Sequence, residues 1–573
     1  MSDITNISMI YTPLGNMDVR LLTIESESQE PISCRLHRLP LTADTKYTAL
    51  SYLWGDQNDK KIITIDGHRF PVGVSLYNAL RDISKQRWFT KDIYFWVDAI
   101  CINQDDNSEK SKQIPRMAQI YSWASRVIVS VIATDTLQDS DIELLSDLAG
   151  SLESIRDGIQ PDETRISLDR SFGGNSWRKQ PYSLLKKLFK LPWFSRIWVR
   201  QEVTLAVDWP TIILGKHQAH MLDLCNLWTI VSEDGYMFDQ PQLMGLRDAR
   251  MMIHNPAEVE EAGLSLGTAE FLLHVILAYG GAEATLPHDQ VYGLLGQVYA
   301  FIEKTHGHPL PTQLSPDYTR PYEEVYHEFV AYIFESTGDL RLWETTARKF
   351  GVVPSWVPDL RYLGSNITFV PMPIKANLKL SKSRNELQVE GVRISTCQDI
   401  LLPMSKISRR VSHLRDRIND LEEKIIKPSA AITNKPVEIL RKELFDNVSK
   451  DYRPGQELYE KVLAFIAERE NEDLSKYHIR NDDTSFKLLV LLDAIYILFQ
   501  DGNTGICNRH DAVVERGDIL CLFKGALRPS IIRSAEGGYT LIGSCKLTDS
   551  ESISHDVRVD WFQRHHCEFF NLV

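Results

Sequence analysis

The first half of the chain alternates short apolar strand patterns with amphipathic helix patterns, and no other feature constrains the fold as strongly. The strand patterns cover residues 46–56, 92–102, 126–132 and 211–215. Residues 126–132 show no alternation of polar and apolar side chains, which predicts a strand covered on both faces. Strands separated by helices predict an α/β fold with a parallel, doubly wound sheet, whose ligands bind at the carboxyl ends of the strands.

Local signals place a hairpin and a helix between the first two strand patterns. Residues 61–73 predict a β-hairpin with Asp66 and Gly67 at its turn. Ser75 follows as the predicted N-cap of a helix. Apolar residues then recur at helical spacing and predict one buried face, formed by Leu76, Ala79, Leu80 and Ile83.

The length of 573 residues exceeds what one hydrophobic core organises, so several domains are expected. We predict an N-terminal lead-in at 1–45 and an α/β domain at 46–220 with an acidic surface insertion at 135–175. A mainly helical region at 221–353 and a mixed α/β region at 354–573 follow. The last region ends in short strand patterns separated by Gly and Pro turns.

The chain is acidic, with a formal net charge of −13 at pH 7. Nucleic acids and anionic membranes bind positively charged surfaces, so neither is an expected partner. The most apolar stretch, 488–499, contains Asp493 and is predicted to be a buried helix too short to span a bilayer. The first residues lack the basic and apolar regions of a signal peptide, which predicts a cytoplasmic protein.

Cysteine spacing and short motifs predict no metal site and no bound cofactor. The 8 cysteines are scattered without a Cys-x-x-Cys pair, which is typical of reduced thiols in a cytosolic protein. A Gly-x-Ser-x-Gly match at 263–267 follows polar and acidic residues. A nucleophile elbow needs a buried strand there, so we interpret the match as chance. The glycine-rich dinucleotide and phosphate-binding motifs and the His-Glu-x-x-His motif are absent from the sequence.

Three ordered blocks carry a resemblance to a known family. They are Tyr47-Thr-Ala-Leu-Ser-Tyr-Leu-Trp-Gly-Asp56, Trp96-Val-Asp-Ala-Ile-Cys-Ile-Asn-Gln104 with Glu109 after it, and Trp193-Phe-Ser-Arg-Ile-Trp-Val-Arg-Gln-Glu202. In order and spacing they resemble the signature blocks of the fungal heterokaryon incompatibility (HET) domain. Residues 289–296, 354–359 and 517–525 are similar to regions that accompany this domain in long family members.

The resemblance implies a fold and a chemistry. HET domains are regarded as distant relatives of TIR domains, which implies a TIR-like (flavodoxin-like) parallel sheet with flanking helices. In NAD-cleaving TIR domains a catalytic glutamate lies on a helix four residues after a tryptophan, and Trp198 and Glu202 have a similar spacing. The resemblance therefore implies that Glu202 is catalytic and that NAD is a substrate.

A larger set of residues would surround Glu202. Residues that follow the first two strands would meet it at the carboxyl edge of the sheet. Because residues four apart share a helix face, the Trp198 indole would line the pocket into which the Glu202 carboxylate projects. The candidate substrate-binding residues are Tyr52, Trp54, Gly55, Asp56, Asp98, Asn103, Gln104, Arg196, Trp198 and Gln201.

Cleavage of the nicotinamide–ribose bond suits a site of this kind. The reaction develops positive charge on the sugar, which a nearby carboxylate stabilises as in glycoside hydrolysis. Nicotinamide leaves as a neutral molecule and needs little acid catalysis. Indoles such as those of Trp54 and Trp198 would stack on a flat base.

Each of these residues also has a structural interpretation. In that alternative Glu202 pairs with Arg196 or Arg200, or accepts backbone hydrogen bonds, because a buried carboxylate needs a partner. The other structural assignments are a core position for Trp54 and Trp198, a helix cap for Asp98, a turn for Asn103 and a buried thiol for Cys101.

Three functional hypotheses follow. The first is a HET protein of the incompatibility and cell-death type that consumes NAD. The second is a non-enzymatic protein that recognises an allelic partner, or associates with itself, and signals by association. The third is a HET scaffold recruited as a cyclase or pericyclase for a small-molecule substrate in fungal secondary metabolism, a reaction that needs a shaped apolar pocket and few motifs.

Overall fold

A computed structural model gives the structure of the protein. The chain forms two compact units, Met1–Pro316 and Asp317–Val573. The residues that the structure describes are 10–15, 17–25, 31–56, 58–113, 116–131, 137–151, 169, 175–231, 241–261, 266–344, 352–363, 374–402, 411–449, 494–507, 513–547 and 562–573. Most of the Gly-x-Ser-x-Gly match lies outside these residues, and the predicted four-part domain division stays a prediction.

A nine-stranded mixed sheet forms the centre of the first unit. Its strands are β1 (Asp18–Ile24), β2 (Ser33–Pro40), β3 (Thr48–Tyr52), β4 (Lys60–Ile65), β5 (His68–Gly73), β6 (Phe95–Trp96), β7 (Arg126–Ser130), β8 (Thr211–Leu214) and β9 (His217–His220). They lie side by side in the order β5-β4-β2-β1-β6-β3-β7-β8-β9.

The four strand patterns of the first half lie next to one another as β6-β3-β7-β8, and every pairing among them is parallel. This part of the sheet confirms the predicted parallel arrangement. All five residues of β3 are buried, as are the last four of β7. Both strands are therefore covered on both faces, as the unbroken apolar run of β7 predicts.

The expectation of a parallel sheet is wrong for the sheet as a whole. The predicted lead-in supplies β1 and β2, which pair antiparallel with each other, and β1 pairs antiparallel with β6. The β4–β5 and β8–β9 hairpins at the two sheet edges are antiparallel as well. β1 has six buried residues in a row, so it belongs to the core of this unit.

Helices flank this sheet and follow it along the chain. Those of the first unit are α1 (Val74–Ser84), α2 (Asp98–Cys101), α3 (Asn107–Gln113), α4 (Met117–Trp123), α5 (Asp139–Ser151), α6 (Lys179–Leu188), α7 (Pro192–Ser195), α8 (Val199–Thr204), α9 (Met221–Val231), α10 (Pro241–His254), α11 (Pro256–Glu261), α12 (Thr268–Ala278) and α13 (Asp289–Thr305). In α5, which lies within the predicted insertion, Ile142, Leu145 and Ala149 are buried.

The hairpin at 61–73 is confirmed, and the predicted N-cap is wrong. Asp66 and Gly67 join β4 to β5 with φ angles of 51° and 80°, the left-handed pair that a tight hairpin turn requires. The cap position of α1 is Gly73, with no side-chain cap. Because β5 runs directly into α1, Ser75 falls inside the first helical turn. There it crowds Gly55, where an added Cβ would lie 2.5 Å from the Ser75 hydroxyl oxygen.

The second unit has its own strands and helices. The strands are β10 (Leu378–Leu380), β11 (Leu387–Leu401), β12 (Ile495–Phe499), β13 (Thr504–Cys507), β14 (Ile519–Phe523), β15 (Ser530–Ala535), β16 (Gly538–Ser544), β17 (Lys546–Leu547) and β18 (Glu568–Leu572). The helices are α14 (Tyr322–Thr337), α15 (Arg341–Glu344), α16 (Val411–Leu421), α17 (Lys427–Thr433) and α18 (Val437–Ser449), with a π-helical turn at Glu422–Ile426 between α16 and α17.

The long strand β11 organises this unit. Its first part pairs with β18 and its middle with β14, while β14, β15, β16 and β18 pair in succession. These pairings close a ring of strands, which removes exposed sheet edges. Beyond two register shifts, the end of β11 pairs with β12.

The apolar stretch 488–499 is a strand where the structure describes it. Residues Ile495–Phe499 form the fully buried β12, so the predicted helix is wrong for them, and 488–493 lie outside the described residues. A short apolar run fits a buried strand and a buried helix equally well by periodicity. Across the described part of the chain, no helix has both the length and the apolar character needed to cross a membrane.

Candidate active site

Glu202 lies on α8 with its side chain inside the protein, only 3% exposed. The Ser51 hydroxyl of β3 donates a hydrogen bond to Glu202 Oε2. The Trp193 indole donates in turn to Ser51 Oγ at 2.8 Å. This chain of hydrogen bonds ties the carboxylate to the fourth residue of the central parallel strand.

Arg196 and Arg200 were the two predicted ion-pair partners of Glu202. Neither forms an ion pair with it among the described residues. Arg200 Nη2 donates to the Phe194 carbonyl at 2.9 Å, and its guanidinium lies 5.0 Å from the centroid of the Tyr279 ring. Arg196 Nη1 donates to the Tyr52 carbonyl at 2.7 Å. The partner of the Glu202 carboxylate is therefore the Ser51 hydroxyl.

Burial raises the pKa of Glu202 above its ordinary value, and the negative charge of Asp98 adds to this effect. The positive charge of Arg196 and the hydrogen bond from Ser51 oppose it. Removal of a carboxylate from water disfavours its charged form, and a nearby cation or donor restores part of the loss. Arg196 thus affects Glu202 through its charge, without a hydrogen bond or ion pair between them among the described residues.

Asp98 is the second carboxylate of the cluster. It is the first residue of α2 and is half-buried. The Trp54 indole donates to its Oδ2 at 2.8 Å, and the Ala99 backbone N–H donates to its Oδ1 at 2.7 Å. Burial raises the pKa of Asp98, while these hydrogen bonds, another from the Tyr52 side chain and the charge of Arg196 lower it.

The structure thus brings five of the predicted residues together, namely Tyr52, Trp54, Asp98, Arg196 and Glu202. They lie at or just after the carboxyl ends of β3 and β6 or come from the segment around α8, as the predicted sheet requires. Two carboxyl groups face one arginine, with aromatic rings beside them. Such a cluster can stabilise a developing positive charge once a ligand reaches it.

The polar side chains in the loops after β3 and β6 form hydrogen bonds mainly with backbone groups of their own loops. Gly55 and Asp56 are exposed, and Asp56 Oδ1 accepts hydrogen bonds from the backbone and side-chain nitrogens of Asn58 at 2.8 and 2.9 Å. Asn103 Oδ1 accepts from Asp105 N at 3.2 Å, which is the turn role of the structural alternative. Gln104 Nε2 donates to the Asp98 carbonyl at 2.9 Å and so stabilises the loop that carries this carboxylate.

The polar side-chain atoms of Trp198 and Gln201 form hydrogen bonds with α13. Trp198 Nε1 donates to Asp289 Oδ2 at 3.2 Å, and Gln201 Nε2 donates to the Gly293 carbonyl at 2.7 Å. A Cβ added at Gly296 would lie 2.2 Å from Gln201 Oε1. Residues 289–296 therefore hold α8 in place. They do so through the Asp289 carboxylate, the Gly293 carbonyl and the close approach of the Gly296 backbone to Gln201.

Comparison with known proteins finds one family model that covers all the residues of this cluster. Residues 47–202 match the family model described as heterokaryon incompatibility protein (HET). The chain carries a HET domain. Heterokaryon incompatibility protein 6, OR allele, of Neurospora crassa is 29% identical over 222 residues, which cover 33% of this chain and 32% of the relative. The chain thus spans about a third of the length of this curated relative, and no solved structure matches it.

Sequence reasoning missed a buried ion pair that supports the HET domain. Arg20 of β1 donates to both carboxylate oxygens of Glu109, at 2.6 and 3.0 Å, and to the Cys101 carbonyl at 3.1 Å. Glu109 Oε1 also accepts from the Asn103 backbone N–H at 2.8 Å. This pair fixes the loop after β6. Glu109 belongs to the second signature block, but its partner lies in a segment outside the matched residues.

Ser51 and Trp193 were also missed as site residues, although each lies within a signature block.

Cys101 is confirmed as a buried thiol, and burial raises its pKa to about 12. The described residues contain no group of three or more His, Cys, Asp or Glu side chains arranged to hold a metal ion.

Proposed function

We propose that the protein is a fungal HET protein of the incompatibility type whose HET domain releases nicotinamide from NAD. The convergence of Glu202, Asp98 and Arg196 at the carboxyl edge of the parallel strands carries this proposal. The name of the Neurospora relative supports the incompatibility role. The spacing of Trp198 and Glu202 supports the reaction.

The strand order supports kinship with TIR-like sheets. Among the four parallel strands, the spatial order β6-β3-β7-β8 is second, first, third and fourth in chain order. Flavodoxin-like sheets begin with the same order. They bind nucleotides at the topological switch point, between the first and third strands, where the strand order reverses. In this protein that position lies at the ends of β3 and β7, beside Ser51 and Tyr52.

The proposed reaction breaks the bond between nicotinamide and ribose and consumes one water. The bonding electrons leave with nicotinamide, which changes from a pyridinium cation into a neutral base. The Glu202 carboxylate stabilises the positive charge that develops on the ribose, as carboxylates do in glycoside hydrolysis. Water adds to the sugar, so the products are nicotinamide, ADP-ribose and a proton. Arg196 favours the ionised carboxylate that this role requires.

Access to Glu202 requires a local opening. The side chain is 3% exposed and its carboxylate is bound to Ser51. We infer that α8 moves away from β3 when the protein is activated or assembled, and that the resting protein is inactive. Loops and short helices at functional sites often open in this way before chemistry proceeds.

The proposal is tested by incubating the purified full chain with NAD at rising protein concentration and measuring nicotinamide by chromatography. Wild type should release nicotinamide and Glu202→Gln should not. Glu303→Gln, a change at an exposed position of α13, is the matched control and should behave as wild type. Absence of release from concentrated or assembled wild-type protein would refute the enzymatic proposal.

A second candidate is signalling by association without chemistry. The closed contact between Ser51 and Glu202 favours it, because the same hydrogen bond that would need to open for catalysis suits a structural role. In this case Glu202→Gln would keep its toxicity in fungal cells, provided that the variant accumulates to the wild-type level. Loss of toxicity at equal protein level would favour the enzyme. The cyclase hypothesis stays a prediction.

A further inference from the structure

A groove crosses the amino-terminal ends of β7 and β8 and the adjoining end of β9, at the edge of the sheet opposite the carboxyl ends that carry the candidate active site. Its volume is about 340 Å³, within the range of clefts that hold small molecules. The groove is lined by Trp88, Ser125, Arg126, Val127, Asp208, Trp209, Thr211, Gln218 and His220.

Polar side chains from three neighbouring strands form its floor. The strand register puts Thr211 opposite His220, and Gln218 lies two positions before His220 on β9. Thr211 pairs with Ile128 of β7, and Arg126 lies two positions before Ile128. Because alternate strand residues share a face, these four side chains lie on the same face of the sheet. Arg126 and Gln218 are exposed, and Thr211 and His220 are half-buried, so this end of the sheet face is open to solvent.

Two indoles form the walls, and both are held in place. Trp88 Nε1 donates to Gln218 Oε1 at 3.0 Å, and the Arg126 guanidinium lies 4.8 Å from the centroid of the Trp88 ring. The Arg250 guanidinium lies 5.1 Å from the centroid of the Trp209 ring. Arg250 is fixed by hydrogen bonds to backbone carbonyls near the end of α8. Rigid aromatic walls bind apolar groups at a low entropy cost.

The lining of the groove includes one arginine, Arg126, and one aspartate, Asp208, and the charge of Arg250 behind Trp209 also acts on Asp208. The Arg126 side chain makes no hydrogen bond or ion pair with another residue in the part of the chain that the structure describes, and Trp88 covers one face of its guanidinium. Asp208 Oδ1 accepts from the Trp209 backbone N–H at 2.7 Å and lies 3.9 Å from His220 Nε2, while its side chain is 80% exposed. A stacked arginine keeps the N–H groups at its edge for an oxyanion.

We propose that this groove binds a zwitterionic amino acid with an aromatic or large apolar side chain. Its carboxylate pairs with Arg126, its ammonium group pairs with Asp208, and its side chain lies between Trp88 and Trp209. A polyanion such as a nucleotide meets repulsion from Asp208, and an uncharged sugar leaves both charges without a counter-charge. The site is separate from the NAD proposal and does not depend on it.

The test is a titration of the purified full chain by calorimetry with L-phenylalanine, L-phenylalanine amide, N-acetyl-L-phenylalanine and glucose. We expect saturable binding of L-phenylalanine with a Kd of about 1 mM or below. The amide lacks the carboxylate and the N-acetyl compound lacks the ammonium group. Each should bind about tenfold more weakly, since each loses one charge-assisted pair.

Variants assign each charge to its partner. In Arg126→Gln the difference in affinity between phenylalanine and its amide should disappear. In Asp208→Asn the difference in affinity between phenylalanine and its N-acetyl derivative should disappear. Arg87→Gln and Asp92→Asn change exposed residues outside the groove and should keep both differences. Absence of phenylalanine binding, equal binding of the three phenylalanine compounds, or preference for glucose would each overturn the proposal.

Discussion

Ser51 donates a hydrogen bond to the Glu202 carboxylate across 151 positions of the chain, and it accepts one from Trp193 at the same oxygen. The first and third signature blocks of the HET domain are thus joined through one hydroxyl group. The contact lies at the centre of the parallel strands, where a buried carboxylate most needs a donor.

Ser51→Ala should therefore destabilise the HET domain. The change leaves the Glu202 carboxylate and the Trp193 indole without a shared partner in a site that water does not reach. Unsatisfied buried groups cost about 1–3 kcal/mol, so the free energy of unfolding should fall by that amount in a denaturant titration. Ser108→Ala, at an exposed position of α3, should leave it unchanged. Equal stability of the two variants would show that the hydrogen bond contributes nothing.

Glu202 should also make stability depend on pH. Its pKa in the folded protein is raised above the ordinary value of 4.5, mainly by burial. The folded state therefore holds the proton more strongly than the unfolded state, and the stabilisation present below pH 4.5 is lost as the pH rises through the folded pKa. A glutamine side chain does not titrate, so the stability of Glu202→Gln minus that of wild type should grow with rising pH. Urea titrations at several pH values measure this difference, and a constant difference would contradict the pKa shift.

Gly296 tests the contact between α13 and α8. An added Cβ would lie 2.2 Å from Gln201 Oε1 and 2.7 Å from the Ala118 Cβ, so Gly296→Ala forces both neighbours to move. Overpacking of this kind costs about 1–3 kcal/mol. Gly150→Ala is the matched control, because nothing lies within 4 Å of its added Cβ inside α5. It should instead stabilise slightly, by about 0.5–1 kcal/mol, through the higher helix propensity of alanine. Thermal unfolding that ranks the two variants in the other order would refute the close contact.

The sequence predicts local structure and the composition of the cluster well. The parallel strands β3, β6, β7 and β8 and the Asp66–Gly67 turn follow from apolar runs and turn chemistry. The meeting of Asp98 with Trp54 follows from the rule that parallel strands end at the same sheet edge.

What the sequence cannot provide are partners that depend on the final packing. Ser51 lies in an apolar strand, and no local pattern indicates that its hydroxyl would bind a glutamate on α8. The strand β1 has an ordinary apolar pattern, yet only the structure shows that it joins the sheet next to β6. In β12, periodicity alone does not separate a buried strand from a buried helix.

Glu344 gives a second pH prediction, in the second unit. Burial raises the pKa of Glu344 to about 7, and the charge of Asp339 adds to this effect. The Arg528 backbone N–H, which donates to Glu344 Oε1 at 2.9 Å, and the charge of Arg528 oppose the shift. The folded protein binds the proton more tightly than the unfolded chain, so stability is lost as the pH rises from 4.5 through 7. Each pKa unit corresponds to about 1.4 kcal/mol, and partial exposure of Glu344 to solvent reduces the effect, so the loss should be on the order of 1–2 kcal/mol at about pH 8. Glu344→Gln should match wild type at pH 5 and exceed its unfolding free energy at pH 8, while Glu386→Gln, at an exposed position, should show no such change. If Glu344→Gln shows the same pH dependence as wild type in denaturant titrations, Glu344 is ionised throughout this range and the burial argument fails.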